Sequence, residues 1–213
     1  MCIRDSSDTT LDPWGSFLYI RDLRSDVVWA AAYQPVGGAQ GTSSVSFSAD
    51  RAEFHRRLAG IETILDVTVA PEDDVELRRL TVVNRSIRSR QLEFTSYAEL
   101  ALAPHGADRA HPAFSKMFVE TEYLEPGVLI AHRRLRSPDE PAVWAAHILI
   151  GGLGVTQDAV QYETDREKFL GRGNTPESAS ALRQDLTGSV GTVLDLSLIH
   201  ISPVDEISSP PVS

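Results

Sequence analysis

Along most of the chain apolar and polar side chains alternate with a period of two, the spacing of a strand that turns one face to a core. Ile61, Thr63, Leu65, Val67 and Val69 share one face, with Glu62, Asp66 and Thr68 opposite, and the turn Pro71-Glu72-Asp73-Asp74 follows. In Val75–Asn84 the apolar phase switches from Val75/Leu77 to Leu80/Val82, which predicts a bulge or a strand covered on both faces. Asn84–Arg90 reads as a polar turn. Leu92, Phe94, Ser96, Ala98, Leu100 and Leu102 then alternate against Gln91, Glu93, Thr95, Tyr97 and Glu99, the third strand of a meander.

The flanks follow the same rule. Ser16–Asp22 and Val27–Ala32 read as a hairpin around Leu23–Asp26. Phe114–Tyr123, Val128–Leu135 and Val143–Ile150 predict three more strands, divided by Glu125-Pro126-Gly127 and Ser137–Pro141. Helical spacing is confined to Thr164–Leu170 and Glu177–Gln184. Many short strands with Pro, Gly and Asp punctuation predict an all-β antiparallel sandwich with few, short helices.

Both ends depart from this pattern. Met1–Ser6 (MCIRDS) and Ser197–Ser202 (SLIHIS) look like translated sequencing-adapter read-through, and Pro203–Ser213 is rich in Pro and Ser without a core-forming pattern. The expected division is therefore a non-native stretch at 1–6, the sandwich at 7–195, and a non-native, disordered tail at 196–213. On that reading Cys2 and His200 carry no chemistry.

Composition narrows the function classes. The 213 residues are enough for one domain, and no apolar run reaches the ~20 residues of a membrane-spanning helix. The net charge of −10 argues against a nucleic-acid partner, whose phosphates need a basic footprint. One cysteine excludes an intrachain disulfide framework. Eighteen arginines stand against two lysines, Lys116 and Lys168; the planar guanidinium fork suits carboxylates, phosphates and sugar hydroxyls, although GC-rich coding gives the same excess.

Catalytic chemistry is hard to locate. The six histidines form no close pair or Cys/His cluster of the zinc type; His105 and His111 share the loop Pro104–Pro112 with Asp108, a solvated loop by default. His132 and His147 lie within strands and read as hydrogen-bonded structural residues. No G-x-S-x-G elbow is present, and the glycines of Gly37–Gly41 and Gly151–Gly154 lack the context of a phosphate loop. Glu62, Asp66, Glu93 and Glu99 are expected to face outward from their strands, and thirty acidic residues make accidental pairs of them common.

The segment Tyr162–Asn174 (YETDREKFLGRGN) is the most distinctive. Gly171 and Gly173 flank Arg172 and permit close backbone approach, while Asp165 with Arg166 or Arg172 can make charge-assisted contacts. An exposed loop with glycines for turning gives the same composition.

The runs FHRRLAGIETILDVTVAPEDDVELRRLTVVNRS, LEFTSYAELAL, HPAFSKMFVETEY and YETDREKFLGRG, with GSFLYIRD and VVWAA before them, resemble cyclic β-1,2-glucan synthases. The likeness is to the start of their family 94 glycoside hydrolase region, shared with cellobiose and chitobiose phosphorylases, and runs from about Asp12 to Asp195. It implies a β-supersandwich of the galactose-mutarotase-like type. It also implies a following (α/α)6 barrel that carries the general acid and the phosphate site, so this chain is expected to have no catalytic residues and no cofactor of its own. The parent protein would be associated with a bacterial inner membrane. The implied partners are a β-glucan oligosaccharide, the missing barrel and a second copy in a homodimer. By the same resemblance Asp165 and Arg166 recognise sugar hydroxyls, Phe169 stacks or packs, and Arg172 positions. The alternatives are an independent mutarotase-type enzyme, with His132 or His147 meeting an acid on a sheet face, and a purely structural interface module.

Overall fold

The computed structural model describes residues 15–38, 41–124, 127–152, 159–193 and 195–208. Met1–Ser6 with Cys2, and parts of the glycine turns at 37–41 and 151–154, lie outside them.

Three antiparallel sheets form a layered sandwich. The largest is built from β1 (Ser16–Asp22), β2 (Val27–Ala30), β7 (Arg90–Glu99), β11 (Gln161–Asp165) and β12 (Leu196–Ile207), in the order β11-β12-β7-β1-β2. A four-stranded meander follows the chain through β3 (Thr42–Phe47), β4 (Arg51–Leu58), β5 (Ile61–Val69) and β6 (Glu76–Asn84). The third sheet joins β8 (Val119–Leu124), β9 (Val128–Arg133) and β10 (Trp144–Ile148) in the order β10-β9-β8. The predicted hairpin is present, with Asp22 opposite Val27 and Tyr19 opposite Ala30.

The five-stranded sheet is covered on both faces. On one, Ile20, Trp29 and Leu92 pack on Ile61 and Leu65 of the meander, while Leu196 and Leu198 pack on Val119, Leu129 and Ala131 of the third sheet. On the other, Tyr19, Tyr97 and Ile199 lie beneath helix α3 (Arg166–Leu170) and two 3-10 turns, Pro176–Ser178 and Ser180–Arg183. Burial of such side chains supplies most of the folding free energy, about 25 cal/mol per Å² of apolar surface.

Several expectations change. Ser197–Ser202 is no disordered tail: β12 runs between β7 and β11 with Leu196, Leu198, Ile199 and Ile201 buried. The run SLIHIS is apolar in both phases, the signature of a strand covered on both faces. In β6 the pairing with β5 is unbroken from Glu76 to Asn84, so the phase switch marks neither a bulge nor double coverage; Val75 and Leu77 are exposed. Phe114 sits in helix α2 (Pro112–Lys116) instead of a strand, and the presumed loop Pro104–Pro112 winds into helix α1 (His105–Ala110), separated from α2 by exposed His111. Asp66, Glu93 and Glu99 do not face freely outward: Asp66 is buried between Arg51 and Arg79, Glu93 pairs with Arg21, and Glu99 lies under α3.

Candidate functional site

Helix α3 and the turn after it hold the four side chains expected to contact sugar. Local chemistry explains the helix. Asp165 is its N-cap and accepts the Glu167 N–H at 3.0 Å. Gly171 ends it at φ 75°, and a Cβ there would meet the Ser180 hydroxyl, so only glycine fits.

The four residues play different parts. Phe169 is 0% exposed, its ring 5.3 Å from Tyr97 and 6.1 Å from Tyr19. It packs in the core and offers no face to a ligand, so of the two roles expected of it, stacking or packing, it fills the second. Arg166 reaches back into the sheet, where its Nε donates to the Tyr97 hydroxyl at 2.8 Å and to Glu99 Oε1 at 3.0 Å. Its other arm donates to Asp195 Oδ2 at 3.1 Å, and Lys116 donates to the second oxygen of that carboxylate. Burial opposes the charge of Arg166, but Tyr97, Asp195 and Glu99 more than offset it and raise its pKa. Its Nε and Nη1 are thus engaged inside the fold. Arg172 stands apart, exposed between Gly171 and Gly173.

The neighbouring Glu163 is a buried carboxylate. It accepts from the Thr164 and Asp165 N–H groups at 2.9 and 3.0 Å and from the hydroxyls of Thr187 and Ser189. Desolvation alone pushes its pKa up, yet these four donors bring it below the usual glutamate value. This carboxylate holds the loop 187–189 to β11.

Two further constellations were not legible beforehand. Between the sheets, the His147 Nε2 lies 2.8 Å from the Ser96 Oγ, and the His147 and His200 rings are 4.9 Å apart. His200, expected to carry no chemistry, is 0% exposed, and neither of its ring nitrogens has a partner among the described residues. Burial holds both imidazoles neutral, pushing His147 down to about 4 and His200 to about 3.

The second lies on the outer face of the three-stranded sheet. Glu120, His132 and Trp144 are register partners across β8, β9 and β10. The His132 and Trp144 rings stack at 4.6 Å and 26°, and Glu120 lies 3.5 Å from His132 Nε2 and 3.3 Å from Arg134 Nε. The segment Val143–Ile150 reads as a strand from sequence, but only pairing places an aromatic, an imidazole and a carboxylate in one row.

This architecture of one doubly covered sheet flanked by two smaller antiparallel sheets is a supersandwich. The chain belongs to the family described as glycosyl hydrolase 94, supersandwich domain, whose sequence profile matches residues 3–204. Among its relatives is the cyclic beta-(1,2)-glucan synthase NdvB of Rhizobium meliloti (strain 1021), 36% identical over 195 residues, which cover 90% of this chain and 7% of that protein. Solabiose phosphorylase of Paenibacillus borealis is 25% identical over 182 residues, 84% of this chain and 22% of that enzyme. The chain therefore spans less than a quarter of the length of either relative.

Proposed function

We propose that the chain is a carbohydrate-binding and scaffolding module of a cyclic β-1,2-glucan synthase-like or family 94 phosphorylase-like enzyme, without catalytic activity alone. One observation carries this reading: two relatives with different printed activities share nearly the whole sandwich. A module common to a synthase and a phosphorylase is suited to holding saccharide and supporting a catalytic part, not to distinguishing the reactions. The ionic groups around α3 fit the supporting half of that role, since Asp165, Arg166 and Glu163 are engaged in capping, pairing and anchoring. The ligand class is a β-glucan oligosaccharide, and the protein partner is the helical barrel implied by the resemblance or a second copy.

Calorimetric titration of the 213-residue chain with β-1,2-linked gluco-oligosaccharides tests the binding role, with saturable heat expected. An assay for phosphate-dependent release of sugar phosphate tests the other half. Measurable phosphorolysis overturns the non-catalytic role, and absence of any saturable signal overturns the binding role.

The mutarotase-type alternative draws on a single observation, the 3.5 Å approach of His132 to Glu120. Among the described residues His147 makes no such contact with an acid; it lies against Ser96 and His200. An anomer-equilibration assay of the native chain and of His132→Ala decides it: catalysis abolished by the substitution supports the alternative, and no catalysis in the native chain removes it.

A further inference from the structure

We propose that the outer row Trp144–His132–Glu120, with Arg134 at its margin, is the saccharide-contacting surface of this module, and that it takes a short β-glucan segment laid across the strands. The proposal rests on the carbohydrate-binding reading and places its site away from α3.

The argument begins with the indole. Trp144 is 62% exposed on the edge strand β10, and His132 stacks against one of its faces. That contact fixes the ring and leaves its other face and rim to solvent. A large rigid aromatic held this way loses little freedom when a second flat body covers it. A glucopyranose is such a body, with C–H groups on its faces and hydroxyls around its rim. Its weakly positive C–H groups complement the negative face of the indole quadrupole.

Polar groups stand where the hydroxyls need them. Glu120 is held by His132 Nε2 and Arg134 Nε, and Arg134 is itself tethered through an N–H donated to the Met117 carbonyl at 2.7 Å. The carboxylate and guanidinium are both partly exposed, so each keeps capacity to bind hydroxyls as acceptor and donor. From Trp144 to Glu120 the row crosses two strand spacings, about 10 Å. That is the reach of two linked sugar rings: one against the free face and rim of the indole, the next passing over the edge of the stacked His132 toward the ion pair. Beside the row, Ile130 and exposed Ile148 lie on the same side of β9 and β10, with exposed Glu122 across from Ile130 on β8. The isoleucines give the ring faces apolar neighbours while the charges remain at the β8 end.

The α3 turn lacks these properties. Its aromatic is in the core and its Asp and first Arg are engaged internally, so of the four expected residues Arg172 alone is exposed, beside Glu167 and Lys168 and with no aromatic face to offer.

The test is calorimetric and NMR titration of the full 213-residue chain with a defined β-1,2-linked glucotetraose, comparing native protein with Trp144→Ala, Trp144→Phe, Glu120→Gln and Arg172→Ala. Circular dichroism and the urea midpoint confirm that each variant is folded. Trp144→Ala is expected to weaken binding at least about tenfold, with Trp144→Phe recovering part of the loss. Glu120→Gln should weaken it less, and Arg172→Ala should leave it unchanged. The Trp144 indole N–H resonance, assigned by its loss in Trp144→Phe, should shift with the same saturation curve. If the native chain binds and Trp144→Ala binds equally well, the platform is wrong while the carbohydrate-binding reading stands. If the native chain binds no tetraose, both fail. Protection of Trp144 only in the presence of another protein segment, without sugar binding, also overturns the proposal.

Discussion

Arg166 on α3 donates to the hydroxyl of Tyr97 on β7 across 2.8 Å, tying the helical cover to the central strand of the large sheet. The same Nε reaches Glu99, whose carboxylate is shielded by the helix, and Tyr97 also donates to Glu99 at 2.7 Å. Removing the guanidinium leaves a half-buried carboxylate without its counter-charge. Arg166→Met should therefore destabilise the chain by about 2–3 kcal/mol, somewhat less than for a fully buried pair. Urea unfolding measures this, and the double change Arg166→Met with Glu99→Gln should recover part of the loss. A midpoint unchanged in Arg166→Met would show that the pair contributes nothing.

Phe169 and Arg172, three positions apart, should respond oppositely. Phe169→Ala opens a cavity among Tyr19, Tyr97 and Leu182 and is expected to cost about 3–5 kcal/mol. Arg172→Ala, at an exposed turn position, should change stability by no more than about 0.5 kcal/mol. Thermal unfolding of the two variants checks both, and a large loss in Arg172→Ala would contradict the structure.

The His147–His200 pair makes stability fall in mild acid. Both imidazoles have folded pKa values pushed below the ordinary 6.5, to about 4 and about 3, so the unfolded chain binds their protons first. Above about pH 6.5 neither state is protonated and there is no penalty. Below it the penalty grows by up to about 1.4 kcal/mol per pH unit for each histidine, until the folded values are reached. Urea midpoints between pH 7 and 4.5 should show this decline, with a shallower slope in His200→Leu. An identical slope in that variant would remove His200 as a cause.

At neutral pH the same substitution should stabilise. Neither nitrogen of His200 is hydrogen-bonded to a described residue in its fully buried position, and leucine carries no polar atom there. A gain of about 1–2 kcal/mol is expected. A lower melting temperature for His200→Leu would mean that the imidazole has a partner in solution.

Strand β3 should mediate association. It is the edge of the meander, every residue of it is exposed, and Phe47 is 78% exposed beside Val45. An exposed apolar edge is a template for pairing with another chain. Light scattering should show concentration-dependent self-association that Phe47→Lys reduces; an equal response in both proteins would exclude this edge.

Much of the sandwich was readable in the alternation itself. Ile61, Thr63 and Leu65 are buried on one face as their spacing predicts, and the hairpin from Ser16 to Ala30 pairs without a slip. β3 and β4 escape a pattern reading because TSSVSF and RAEFHRRL carry too few apolar residues for a clear period, and β12 because SLIHIS looks like adapter read-through. The expected site suffered most. In YETDREKFLGRGN nothing distinguishes a phenylalanine waiting for sugar from one that will be covered by Tyr19 and Tyr97.

Alternation along one strand records which side chains share a face, so the sheets and most of their strands follow from local spacing alone. It does not record what lies against that face. Glu93 and Glu99 looked solvent-facing because their strand has a more apolar side, yet α3 and Arg21 close over them. His147 and His200 are fifty-three positions apart and meet only because two sheets pack, and Glu120, His132 and Trp144 align only through strand register. Long-range packing decides which groups lose water and which keep it, and it is that loss of water which makes Arg166 a structural clamp while Trp144 keeps its solvent-facing surface.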